Sequence, residues 1–336
     1  MKKFVKCLLC LTFSCGTTAV QAQDTVTVEI PKSVYSLYDQ GEPTGVSPLD
    51  RPSYQRSRDN MDMYPIHTDA QAQGNPQGVI TEGYFTSETT YPGVRYKYWV
   101  YVPVQYDPGK PANLIVFLDG HDYLSNERDA DAPTILDNLI AKGEIPVTVA
   151  LFITPGDKGP GMPIYGGSGN RSVEYDSVDD RYARFLIEEL MPVTVGEYNL
   201  SANPADRCIY GISSGANCAL GVAWHRNDCF GKVILASGSF ANIRGGHIWP
   251  FVIRSHEKKD IKAYLTVGEL DLNIIFGDWV RISRDMAGAF KYRDYEHILT
   301  IHKSGHTGKV MHSQLPDILR WLWNGSEFTS INCEIQ

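Results

Sequence analysis

The sequence has no run of Lys or Arg, and its 31 basic against 39 acidic side chains leave a formal net charge of −8. It therefore carries neither the basic footprint of a nucleic-acid binder nor a polybasic patch for an anionic membrane surface. Beyond the first 22 residues nothing approaches the ~20 consecutive apolar residues of a membrane-spanning helix, so no membrane span is expected. Cysteine is sparse where it would count. Three of the seven (Cys7, Cys10, Cys15) fall within the first 22 residues, which makes Cys7 to Cys10 hydrophobic filler rather than a redox or zinc pair. The remaining four, Cys208, Cys218, Cys229 and Cys333, allow three pairings, and the spacing selects none. The glycines at 159, 161, 166, 167 and 169 are not followed by G-K-[ST], which excludes a phosphate cradle of that type. His302 and His306 are four apart, but Lys303 stands where H-E-x-x-H needs Glu, so a zincin site is excluded. No metal and no cofactor are expected.

What is present is an ordinary globular composition, 43% hydrophobic over 336 residues, ample for one large α/β domain or two small ones. Met1 to Ala22 opens with Lys2, Lys3 and Lys6, continues through the apolar CLLCLTF and closes on small residues at Val20-Gln21-Ala22. This is the pattern of a secretory signal peptide. The mature chain is expected to begin at Gln23 as an exported, periplasmic or secreted protein, its net charge going from −8 to −11 with three lysines and no acid removed. Lipid anchoring at Cys15 in TFSCG is the alternative. Residues 23–77, rich in Pro, Asp, Gln, Ser and Arg without sustained periodicity, read as an extended arm. A main domain is expected over 78–326 and a C-terminal tail over 327–336.

From Gly78 the chain changes character. GVITEGYFTSETT and RYKYWVYVP read as antiparallel strands divided at Tyr91-Pro92-Gly93. Short apolar runs at Leu114–Leu118, Val147–Ile153, Ile209–Ile212, Val233–Ala236, Ala263–Val267 and Ile298–Ile301 have the composition of strands buried on both faces. Between them lie helical patterns at Thr134–Lys142, Asp179–Val195, Ser214–His225, Val280–Tyr292 and Gln314–Trp323. The alternation predicts an α/β fold with a mostly parallel central sheet and helices on both faces.

In such a sheet the loops at the carboxyl ends of strands build the site, and the chemistry-bearing residues fall there. Gly211-Ile212-Ser213-Ser214-Gly215 links an apolar β run to a helical run and has the form of a nucleophile elbow with Ser213 at its apex. Serine is barely nucleophilic until a base takes its proton, and the base needs an acid to fix its tautomer. Downstream, Asp271 and Glu269 compete as the acid. Asp271 is favoured because it lies farther past the strand, where a carboxylate can turn back to an imidazole. Of the later histidines, His306 in the Gly-flanked loop of Gly305-His306-Thr307-Gly308 is favoured over His297, His302 and His312. The order serine, acid, histidine is that of an α/β-hydrolase triad. The N–H of Ser214 at the helix start and that of His121, after LIVFL, are the candidate oxyanion donors. Asn170, Arg171 and Glu174, in the loop after VTVALFI, and Trp279, after the acid loop, are candidate substrate contacts.

As a set these residues resemble the enterochelin-esterase-like branch of the esterase D superfamily, related to the feruloyl and acetyl-xylan esterases of carbohydrate esterase family 1. The likeness spans roughly Pro76 to Trp323 and rests on YWVYVPVQYDP, VFLDG, NRSVEYDSVDDRYARFLIEELMPV, YGISSGANCALGVAW, GSFANIRGG, GELDLNIIFGDW, GHTGK and LPDILRWLW. It implies an α/β-hydrolase fold, with Asp271 matching the Asp of the family's G-x-x-D and His306 the His of its G-H-[ST]. Two departures are visible. Asp119-Gly120-His121 stands where the family often has DGG, and Ser213-Ser214-Gly215-Ala216 where it has SSGG. The resemblance implies a secreted serine esterase acting on a small-molecule or oligosaccharide ester, of acetyl or feruloyl type. A siderophore trilactone esterase, an acyltransferase on the same fold and a non-catalytic glycan-binding relative are the alternatives. The polar, Gly-rich loops, with Tyr165, Trp249 and Trp279 as aromatic platforms, favour a carbohydrate ester over a long-chain lipid ester.

Overall fold

The structure, a computed structural model, describes residues 61–158, 170–274, 276–328 and 333–336. The expected leader, with Cys15, lies outside the described residues, as does Tyr165. Strands β1 (Val79–Thr86), β2 (Arg95–Val102), β3 (Asn113–Leu118), β4 (Thr148–Ile153), β5 (Arg207–Ile212), β6 (Lys232–Ala236) and β7 (Lys262–Gly268) are followed by a two-residue pair, β8 (Asn273–Ile274) and β9 (Gly277–Asp278). Strands β10 (His297–His302) and β11 (Cys333–Ile335) close the series. Among the described residues the main sheet has nine strands in the order β1-β2-β4-β3-β5-β6-β7-β10-β11. The contiguous centre from β4 to β10 is parallel, and β1, β2 and β11 join antiparallel at the two edges.

Each central apolar run is a strand because both of its faces are covered. On one face Leu114, Val116, Leu118, Val149, Leu151, Ile209, Val233, Leu235 and Leu265 pack with helices Ser214–His225 and Trp279–Tyr292. On the other, Ile115, Phe117, Phe152, Tyr210, Ile234 and Tyr264 pack with helices Ala132–Ala141 and Met311–Asn324. A fully buried side chain of this size contributes ~2 kcal/mol, and Phe117 stacks flat on Phe152 with centroids 4.8 Å apart. Cys208, Cys218, Cys229 and Cys333 are free thiols.

Three sequence expectations change. The helical run at Asp179–Val195 is not uniform: Arg181–Arg184 and Met191–Thr194 are α, with a π turn over Phe185–Leu190 between them. Pro192 has no N–H to offer the carbonyl of Glu188. Residues 333–335, expected within a tail, form β11 and pair with β10. Residues 61–77, expected as part of an extended arm, are instead docked on the domain. Tyr64 is buried, its hydroxyl accepts the Lys303 N–H at 2.6 Å and its carbonyl contacts His312 Nε2 at 2.7 Å. The helix Met311–Asn324 contains Pro316, which leaves the His312 carbonyl without its intrahelical donor. That carbonyl accepts from His67 N–H at 2.9 Å.

Because the central strands run parallel, their carboxyl ends share one edge. The turns there carry Asp119–His121 after β3, Ser213 after β5, Ser237–Ser239 after β6, Asp271 after β7 and His306 after β10.

Candidate active site

Ser213 sits between β5 and the helix Ser214–His225 with φ 58° and ψ −123°, a conformation a side-chain-bearing residue adopts only where its surroundings enforce it. Gly211 makes the turn possible, since a Cβ there would meet the Gly215 carbonyl oxygen at 2.1 Å. The turn is pinned by the neighbouring strand: Ser213 N–H donates to the Ala236 carbonyl at 2.8 Å, and the Ser213 carbonyl accepts from Ser239 N–H at 2.9 Å.

His306 Nε2 lies 3.0 Å from Ser213 Oγ, and His306 Nδ1 lies 2.7 Å from Asp271 Oδ1. The loop bearing His306 approaches β7 closely, and a Cβ on Gly268 would lie 2.3 Å from the Ser304 carbonyl oxygen. Asp271 is buried and accepts backbone N–H groups from Leu272 at 2.7 Å and Gly268 at 3.3 Å. Burial pushes its carboxyl up, but the adjacent His306 and the hydrogen bonds it accepts outweigh burial and hold it below the ordinary carboxylate value. Trp279, expected at a substrate wall, is buried, with its ring edge-on to the His306 imidazole at 6.1 Å and 88°. It backs the imidazole.

The competing residues are elsewhere. Glu269 pairs with Lys303 at 2.7 Å on the surface. His297 Nδ1 contacts the Tyr295 carbonyl, and His312 is engaged with Tyr64. His302 is buried with Nδ1 2.7 Å from Ser304 Oγ, and burial lowers it to about 4.

After β3, Asp119 adopts a left-handed φ of 53° and leads into a single turn over Gly120–Tyr123. A Cβ on Gly120 would lie 2.5 Å from Ile153 N, so the turn rests against β4. The first N–H groups of this turn and of the helix at Ser214 have no intrahelical partner, which leaves those of His121 and Ser214 as donors at the same edge. Arg171, expected at substrate, grips Asp119 through Nε at 2.9 Å and Nη2 at 2.7 Å. Asn170 and Glu174, also expected there, are buried: Asn170 Nδ2 donates to Glu174, whose carboxylate also accepts from Tyr96 OH at 2.7 Å and Gly156 N–H at 2.9 Å. Burial raises the Glu174 carboxyl. Trp249 is likewise internal, donating from Nε1 to Asn217 Oδ1 at 2.8 Å.

One residue was not singled out from sequence. Ser239 Oγ lies 3.1 Å from Ser213 Oγ. Its signal is its place in Ser237-Gly238-Ser239, at the carboxyl end of the strand next to the elbow.

A mostly parallel sheet with a serine elbow after β5, an acid after β7 and a histidine after β10 is the α/β-hydrolase fold. Solved structures agree in fold. A ferulic acid esterase matches with a TM-score of 0.57 and 15% identity, over 74% of this chain and 99% of that one. The ferulic acid esterase of the anaerobic fungus Anaeromyces mucronatus matches at 0.59 and 19%, over 76% and 94%. The enterobactin esterase FES from Shigella flexneri matches at 0.62 and 18%, over 78% of this chain but only 63% of its own length. The family follows from sequence: the model described as "Putative esterase" matches residues 89–322, so the chain belongs to this esterase family and is a carboxylic-ester hydrolase. An uncharacterized protein of Bacillus subtilis (strain 168), YjcH, is 25% identical over 175 residues, 52% of this chain and 67% of that one.

Proposed function

We propose that the chain is an exported serine esterase that removes an acetyl or feruloyl group from a carbohydrate through Ser213, His306 and Asp271. The observation that carries this reading is the unbroken contact from Asp271 Oδ1 through the His306 ring to Ser213 Oγ, at 2.7 and 3.0 Å. His306 Nε2 takes the Ser213 proton as Oγ attacks the ester carbonyl. The N–H groups of Ser214 and His121 receive the oxyanion, and Asp271, ionised and buried, steadies the imidazolium. Collapse expels the alcohol, which takes the proton from His306. Water, activated by the same imidazole, then releases the acid and returns the proton to Ser213.

The substrate class is supported by likeness to proteins named ferulic acid esterases and by the polar loops. The aromatic platforms contribute less than the sequence suggested, since Trp249 and Trp279 are buried. Ser213→Ala is expected to abolish acyl-enzyme formation while the fold is retained. Full turnover in that variant would overturn the mechanism. A panel of acetylated and feruloylated oligosaccharides, a catechol trilactone and long-chain nitrophenyl esters tests the substrate. The carbohydrate esters are expected to be cleaved fastest, and preference for the trilactone or the long-chain ester would reassign it. Transfer of the acyl group to an added alcohol in place of water would make the chain an acyltransferase. Mass spectrometry of the exported form is expected to show an N-terminus near Gln23, and a lipid on Cys15 would replace that with anchoring.

A further inference from the structure

We propose that Ser239 is a second hydroxyl of the reaction centre, one that donates a hydrogen bond to the nucleophile oxygen and holds it more tightly as Ser213 loses its proton. This rests on Ser213 being the nucleophile. Proton counting sets the direction of the bond. The single Ser213 hydroxyl proton must point at His306 Nε2, 3.0 Å away, for the imidazole to act as base. The contact between the two serine oxygens, at 3.1 Å, then has only the Ser239 proton to form it. Ser239 is buried, so water does not compete freely for that proton.

Position over the nucleophile is built into the chain. Ser237 takes a left-handed φ of 44°, its N–H donates to the Thr266 carbonyl at 2.7 Å, and Ser239 N–H donates to the Ser213 carbonyl at 2.9 Å. The backbone of Ser239 therefore holds the elbow, and its hydroxyl is left to address Oγ. An O–H to O contact of 3.1 Å is long for two neutral hydroxyls, whose usual separation is ~2.7–2.8 Å. A bond to an oxygen gaining negative charge is shorter and roughly twice as strong. Ser239 thus contributes more to the transition state for attack than to the ground state, which is the condition for lowering a barrier. Once Ser213 is acylated, Oγ is an ester oxygen and a weak acceptor. Attack of water on the acyl-enzyme leaves Oγ bonded to carbon and gains little from Ser239. Oγ carries charge again only as it departs in the collapse that follows, so the steady state is spared when attack of water is the slow step of deacylation.

The test is stopped-flow hydrolysis of nitrophenyl acetate by the full chain and by Ser239→Ala and Ser239→Cys. Ala keeps the backbone N–H and removes the hydroxyl; Cys keeps the volume and replaces a strong donor by a weak one. Loss of a full oxyanion donor costs ~10²–10³-fold. Because Oγ carries only part of the developing charge, the burst rate is expected to fall ~10-fold in both variants, with the steady-state rate after the burst changed less than about twofold. A burst within about twofold of wild type in Ser239→Ala, an equal fall in both phases, or a normal burst in Ser239→Cys beside a slow one in Ser239→Ala would each overturn the proposal. Mass spectrometry of the wild-type protein separates the two readings. Absence of an acyl adduct on Ser213 would overturn the nucleophile itself, whereas an adduct with an unchanged Ser239→Ala burst would overturn only the role of Ser239.

Discussion

Asp271 and Asp69 are both buried carboxylates held below their ordinary range, and they serve opposite ends. Burial pushes each up; what brings each back down differs. For Asp69 it is Lys142, Arg320 and Gln73, which lower it to about 2. For Asp271 it is chiefly His306, helped by backbone N–H groups. Lys142 and Arg320 hold Asp69 as ion pairs that face no reacting group, so the Asp69 cluster is a static clasp. It ties residues 61–77 to helices Ala132–Ala141 and Met311–Asn324, with Arg320 also reaching Glu144 and Asp317. The imidazole of His306 bridges Asp271 Oδ1 and Ser213 Oγ, so the Asp271 pair belongs to a proton circuit. A buried acid beside a permanent cation builds structure, and one beside an imidazole that faces a strained serine builds a reaction centre.

The largest expected effect breaks the reactive member. Asp271→Asn keeps the shape but presents an amide to His306, which favours the wrong tautomer. Turnover of a soluble ester is expected to fall ~10⁴-fold, as when a triad Asp is amidated, with a small change in the unfolding midpoint. Steady-state kinetics beside thermal unfolding check both halves. A loss of stability without loss of turnover would turn Asp271 into a structural residue.

The next effect breaks the static member. Asp69→Ala strands Lys142 and part of the Arg320 network and is expected to cost roughly 3 kcal/mol of stability, with little change in turnover. Acid sharpens the contrast. The folded value of Asp69, about 2, lies below its unfolded value of ~3.9. Its contribution is therefore complete above ~3.9 and lost as pH falls through about 2. His302, lowered to about 4 by burial, binds its proton later in the folded chain than in the unfolded one, whose value is ~6.5. Its contribution is complete above ~6.5 and lost as pH falls through about 4. Urea unfolding at descending pH is expected to show both stages in the wild type and a smaller lower one in Asp69→Ala, where Glu189, raised by burial but held at about 2 by hydrogen bonds from Thr89, Thr90 and Ser87, still titrates in the same window. A lower stage that persists unchanged would assign it to other carboxylates.

What the sequence made legible follows the same division. The central strands were readable because residues such as Ile115 and Val116, buried on opposite faces, leave an uninterrupted apolar run. The elbow was readable because its pattern is contiguous and the turn itself requires Gly211, where a Cβ would meet the Gly215 carbonyl oxygen, and His306 because it stands clear of the strand that buries His302. The clasp was not readable: Tyr64 meets Lys303, and Asp69 meets Arg320, across more than 230 residues, and no local period encodes such a contact. Pro316 was a usable clue, since a proline inside a helical pattern frees a carbonyl that another segment must satisfy. The sequence marks Asn170, Glu174, Trp249 and Trp279 as candidate substrate contacts, and they are buried, because polar and aromatic residues that follow a strand look alike whether they face a ligand or fill the floor beneath it. Only burial separates the two.

The smallest expected effect tests whether a cation alone makes a structural carboxylate. Glu269 stands two residues before Asp271 and has a permanent partner, Lys303 Nζ, at 2.7 Å, but both side chains are about half exposed. Water screens such a pair, and ordering two long side chains offsets much of what attraction remains, so exposed pairs contribute ~0–1 kcal/mol. Glu269→Gln is therefore expected to change stability by about 0.5 kcal/mol or less and to leave turnover at the wild-type level. Raising salt should narrow even that difference, because exposed charges are screened within ~10 Å at 0.1 M. Kinetics and urea unfolding of Glu269→Gln and Asp271→Asn side by side decide the matter. A greater loss of turnover in Glu269→Gln would reverse the assignment of the acid. A loss of stability comparable to that of Asp69→Ala would show that the Lys303 pair, through the neighbouring His302 and Tyr64, supports the loop carrying His306.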